Sequence, residues 1–174
     1  MDRSTMLRKS MLAALLLALC VVGANLKIMG SIALDSAPAF LGAILLGPWF
    51  GAFLGFFGNM VSAALSGFPL TVPVHLVIGL NMAFCMFVFG VIRRRWGSNQ
   101  LIVILIADLV AYVIDVSEEF PWLYPLIGKT VFALFIPLTV ATIANLALTE
   151  VVYVAIPNRQ KQAFFLQERQ HNEH

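Results

Sequence analysis

The side chains able to do chemistry in this sequence are few, and most stand inside apolar stretches. Asn59, His75, Asn81, Asp108, Asp115, Lys129 and Asn145 are the strongly polar ones, with Asp35 just ahead of a proline-led run. A charge at the centre of a bilayer costs about 2.5 to 3.5 kcal/mol on insertion scales, so each such residue requires a partner or a ligand. Asp108, Tyr112 and Asp115 are spaced by four and three, which on an uninterrupted α-helix sets them on one face. That stripe would accept hydrogen bonds from a ligand, or pair with a neighbouring helix. His75 follows Pro73 at a helix start, where an imidazole serves either a ligand or the membrane interface. Lys129 reads most simply as an interfacial lysine that snorkels. Phe56, Phe57, Phe68, Trp122 and Tyr124 add flat apolar surfaces, Trp122 and Tyr124 being natural members of an interfacial belt.

The same residues exclude much. GxxxxGK[ST] is absent, so the chain has no ATP-hydrolysing loop of its own, and neither HExxH nor GxSxG occurs. Cys20 and Cys85 sit in separate apolar runs without a CxxC or a His/Asp cluster, which reads as packing rather than disulfide or metal chemistry. No cofactor and no metal are expected.

The elements that must position these groups follow from composition. The 174 residues are 60% hydrophobic and only 11% charged, which suits lipid rather than water. At roughly 20 apolar residues per span, this length accommodates about six helices. The expectation is one all-α transmembrane domain over 1–157 and a polar cytoplasmic tail over 158–174. The apolar segments run Met6 to Gly23, Pro38 to Leu46, Trp49 to Leu65, Pro73 to Ile92, Leu101 to Val116 and Leu126 to Ile156. The first resembles a signal peptide, but Ala24-Asn25-Leu26-Lys27 is a poor cleavage site, so a retained helix is expected.

Of the 11 basic residues, Arg3, Arg8 and Lys9 precede the first segment, Arg93 to Arg95 follow the fourth, and Arg159, Lys161 and Arg169 follow the sixth. Only Lys27 and Lys129 are left for the other side. The positive-inside rule then sets both termini in the cytoplasm of a multi-pass plasma-membrane protein. A net charge of +2 is too small to argue for nucleic acid.

Two segments are irregular. The second is bounded by Asp35-Ser36 with Pro38 and by Gly47-Pro48, leaving about ten residues, or roughly 15 Å of helix, against a hydrocarbon core of about 30 Å. Non-helical backbone must complete that crossing, and at membrane depth it persists only against protein or a water-filled cavity. Gly23 to Ser36 is therefore expected to fold as a lid over such a cavity, the alternative being a simple adaptation to hydrophobic mismatch. The last segment would be about 46 Å long if straight, with Pro137 its natural kink. Small residues recur at Ala14 and Ala18 and at Gly47, Gly51, Gly55 and Gly58, allowing close helix approach. Internal packing is expected for the glycines; the alanine face suits the bundle or an outside partner.

The run Leu34-Asp-Ser-Ala-Pro-Ala-Phe-Leu-Gly42, then Leu45-Leu-Gly-Pro-Trp-Phe-Gly-Ala52, resembles the substrate-binding S components of energy-coupling-factor vitamin transporters. The resemblance extends to about Ile156. It implies a six-helix membrane bundle with an outward pocket capped by the loop after helix one. It implies as partners a small-molecule vitamin or precursor, a T component docking near Ala14 and Ala18, and two ATPase subunits. Gly30 to Ser36 and Ser66 to His75 look most like the subgroup associated with α-ribazole, a cobalamin precursor. On this reading Asp35, Asn59, His75, Asp108, Tyr112 and Asp115 bind the ligand, and the chain is not an enzyme. Two other classes remain open: a membrane enzyme or biogenesis factor using Asp108, Asp115 and His75, and a stand-alone facilitator.

Overall fold

The computed structural model describes residues 3–25, 27–28, 32–97, 99–117, 119–157 and 161. The order is α1 (Arg3–Asn25), a two-residue antiparallel ladder of β1 (Lys27–Ile28) and β2 (Ile32–Ala33), α2 (Ala37–Leu45), α3 (Pro48–Leu65), α4 (Val72–Arg95) and α5 (Leu101–Tyr112). A π-helical turn, Val113–Ser117, leads into α6 (Glu119–Ile127), a 3-10 turn, Gly128–Thr130, and α7 (Val131–Ala155). The protein is all-helical apart from that ladder. Residues 158–174, the expected polar tail, lie outside the described residues except Lys161, as do 26 and 29–31 of the expected lid.

Among the described residues four stretches are long and apolar enough to cross a membrane: Met6–Asn25, Pro48–Leu65, Val72–Arg95 and Leu101–Ala155. The last covers 55 residues, far more than one crossing needs at 1.5 Å per residue. It folds back on itself, because Asp115 and Thr142 are hydrogen-bonded although one straight helix would hold them about 40 Å apart. The break has local causes. Gly128 has φ 59°, a left-handed conformation that a side chain disfavours, and Pro125 precedes it inside α6. The expected continuous helix from Leu126 is thus interrupted, and α7 starts at Val131 with Pro137 inside it. Large apolar side chains such as Leu101, Ile102, Leu109, Ile136 and Val154 point outward, so the molecule is as apolar outside as inside.

The short α2 forms the centre. Residues Ala39 to Leu45 are all buried, in a core cluster with Leu16 and Cys20 of α1, Leu54 of α3 and Phe89 of α4. At nine residues it spans roughly 14 Å, so both its ends are buried at depth, where stray N–H and C=O groups are costly. Side chains from other helices satisfy them. Asn145 Oδ1 of α7 accepts from the Ser36 and Ala37 amides at 3.1 and 2.8 Å. At the other end Arg94 of α4 donates to the Ile44 and Leu45 carbonyls at 3.4 Å, a cation where the helix dipole favours one.

The glycines of α3 pack internally. A Cβ on Gly51 would strike Ala43 of α2, one on Gly55 would meet Met86 Cγ and the Met82 carbonyl of α4, and one on Gly58 would press on Cys20 of α1. Opposite them Gly90 lets α4 approach Pro48 and Ala43. One face of α3 thereby seats three neighbours.

Candidate functional site

A cavity of about 150 Å³ opens where the N-terminus of α2 meets α3, α4, the π turn and α7. Its polar lining is Asp35, Ser36, Asn59, Asp115, Thr142 and Asn145. Leu54, Ile78, Met82 and Leu138 supply most of the apolar wall, and Gly55 and Gly58 leave it room.

Each polar residue is placed by a local feature. Asp35 and Ser36 end the loop that returns from α1, whose path is tied by the Leu34 amide bonding the Gly23 carbonyl at 3.3 Å. Gly23 is required there, since a Cβ would overlap the Leu34 carbonyl. The Ser36 hydroxyl lies 3.3 Å from Asp35 Oδ1, and the Ser62 hydroxyl is in the electrostatic neighbourhood of that carboxylate. Asn59 projects from α3 with its Oδ1 buried and without a partner among the described residues.

Asp115 belongs to the π turn. In an α-helix it would repeat the direction of Asp108, but the wider turn at Val113–Ser117 lags in rotation and swings it toward α7. The irregular backbone is satisfied across to α4, where Asn81 donates to the Ile114 carbonyl at 3.1 Å and Cys85 to that of Ala111 at 3.4 Å. Asp115 is 4% exposed; its Oδ2 accepts from the Thr142 hydroxyl at 2.5 Å, and its Oδ1 has no partner among the described residues.

The structure therefore brings Asp35, Asn59 and Asp115 to one cavity. Asp108, Tyr112 and His75 are not in its lining. Asp108 lies in the electrostatic neighbourhood of Arg93 and Glu150, which form a 3.0 Å ion pair between α4 and α7. The Tyr112 hydroxyl is 3.3 Å from that of Thr139. His75 is buried near the start of α4, edge-on to Phe68 at 5.8 Å between centroids. None of Phe56, Phe57, Phe68, Trp122 and Tyr124 lines the cavity, and Trp122 is 63% exposed. Thr142 and Asn145 carry more of the site than the sequence suggested. Both lie on α7, spaced by three, facing the buried α2 loop.

The helices also present an outer groove, between α1 and α3, lined by Ser10, Ala13, Ala14, Leu17, Trp49, Phe50 and Phe53. Ala14 and Ala18 are exposed on α1, whereas Ala13, Leu16 and Cys20 face inward. Among the described residues no group of His, Cys, Asp and Glu is placed to hold a metal.

Residues 8–158 match the family described as ECF transporter, substrate-specific component. The chain belongs to that family. Comparison with curated proteins and with solved structures returns no match. As an ECF substrate-specific component, the chain is a multi-pass membrane protein and the subunit of a transporter that binds a small molecule, working with T and ATPase modules. Transport, not enzymatic turnover, is the activity of this family.

Proposed function

We propose that this S component captures a vitamin or vitamin precursor from outside the cell in the cavity between α2, α3, α4 and α7, and releases it when ATP-driven partners force the bundle to reorient. The observation that carries the reading is Asp115, a buried carboxylate with one oxygen unpartnered, lining a polar cavity in a protein whose outer surface is apolar. Such a group is costly to leave unsatisfied, and a ligand that donates to it offsets that cost. In this reading the bundle crosses the membrane six times, the break at Gly128–Thr130 separating the last two passes, and both termini are cytoplasmic. Asp35 and Ser36 stand at the outer mouth, and Ala14 and Ala18 contact the T component.

The resemblance of Gly30 to Ser36 and of Ser66 to His75 nominates α-ribazole, whose ribose hydroxyls would donate to the carboxylates. Co-reconstitution with a T component and ATPases tests the whole proposal. Uptake should need ATP and every subunit, and Asp115→Ala should abolish it. Flux through the isolated subunit in liposomes would support a facilitator instead.

A further inference from the structure

We infer that the ligand of this cavity is a small organic cation, seated with its N–H donors between Asp35 and Asp115. The inference rests on the cavity being the transport site, and it comes from what the lining can still do. Several of its donors are engaged within the protein. The Ser36 hydroxyl is directed at Asp35, that of Thr142 at Asp115 and the Leu138 carbonyl, and the Asn145 amide at the Ala141 carbonyl. The capacity left both buried and unused is of the accepting kind: Asp115 Oδ1 and Asn59 Oδ1 are without partners among the described residues. An amide can turn over and offer its nitrogen instead, so the argument stands on the carboxylates.

Two carboxylates line this cavity, close enough to act on each other electrostatically, and its described lining contains no Lys, Arg or His. Two like charges at membrane depth without a counter-charge are costly, a cost that protonation of one carboxyl or a bound cation relieves. A cationic ligand supplies that charge and the missing donors in one group, and charge-assisted bonds are about twice as strong as neutral ones. Size narrows the class. An apolar cavity of about 150 Å³ holds a benzene-sized ring, and this one has the same volume. The cavity thus seats one ring, or equivalent bulk, of a ligand bearing an ammonium, amidinium or protonated amino group, which departs from the α-ribazole nominated above. A neutral benzimidazole nucleoside meets the donor condition through its hydroxyls but brings no charge.

Benzamidine and benzamide are nearly isosteric and differ in charge. Titrated against the full-length protein in nanodiscs, benzamidine should bind at least tenfold more tightly, and Asp115→Asn should reduce the preference to less than threefold. Asp35→Asn should do the same, so one poorly folding variant does not remove the test. Equal affinities, no benzamidine binding at millimolar concentration, or a preference that survives both substitutions would overturn the inference. A neutral molecule retained by the gently purified protein, identified by native mass spectrometry, would overturn it too. If the reconstituted complex imports such a molecule under ATP, transport stands and only the charge inference fails. If the complex imports neither the retained molecule nor α-ribazole, the transport reading itself fails.

Discussion

Asn145 carries the fold more than its type suggests. One side-chain oxygen accepts two backbone amides, so it acts as the N-cap of α2 from a distant helix. Asn145→Ala should lower unfolding stability by about 2 kcal/mol, the consequence of leaving buried donors unpaired. Asn145→Asp keeps the acceptor but adds a third carboxylate beside Asp35 and Asp115 and loses the bond to the Ala141 carbonyl, so it should recover only part of the stability. Thermal unfolding in detergent, followed by circular dichroism, reads both. The two aspartates of the sequence stripe separate in the same way. Asp115→Ala should weaken ligand binding ten- to hundred-fold, about 1.5 to 3 kcal/mol for a hydrogen bond to a charged group, as calorimetry would measure. Asp108→Ala, outside the lining and beside Arg93 and Glu150, should change affinity less than threefold. Asp35, Asn59 and Asp115 were legible because carboxylates and amides stand out in apolar sequence. Thr142 and Asn145 were not, since Thr and Asn inside a helix usually bond their own backbone, and these two do so as well.

At the scale of elements, patterning identified the short α2 to within a residue, because Pro near its start and Gly-Pro after it are local signals. What patterning missed was the π turn. A reading at 3.6 residues per turn assumes an unbroken ladder, and five π-helical residues change which face Asp115 presents. The satisfying groups, Asn81 and Cys85, come from another helix and leave no local trace in sequence. The glycines of α3 were legible as a close-packing face, though not which neighbour each would meet. Gly55 is constrained both by a side chain and by backbone: its Cβ would stand 2.8 Å from Met86 Cγ and 2.9 Å from the Met82 oxygen. Gly55→Leu should therefore cost roughly 1 to 3 kcal/mol of stability through overpacking, and because Gly55 lines the cavity it should also weaken ligand binding. Loss of stability without loss of affinity in the folded fraction would mean that the ligand sits away from α3.

For the whole molecule, two different surfaces must coexist: a cavity that recognises one ligand and an outer face that a shared partner can dock on. Ala14 and Ala18 are exposed on α1 while Ala13, Leu16 and Cys20 pack into the core, so a bulky substitution at either exposed position changes the outside and leaves the bundle intact. Ala14 also lines the outer groove beside Trp49 and Phe53, and on the proposed reading its small side chain would let a partner helix approach closely. The ligand cavity shares no lining residue with this groove. Ala14→Trp or Ala18→Trp should then abolish partner-dependent uptake while ligand affinity of the isolated subunit stays within about threefold of wild type. Uptake assays in the reconstituted complex, run beside calorimetry on the subunit alone, separate the two effects. Retained uptake in both variants would place the partner on another face. Lost affinity in the isolated subunit would mean that α1 communicates with the cavity, for instance through Cys20 and Gly58, where it touches α3.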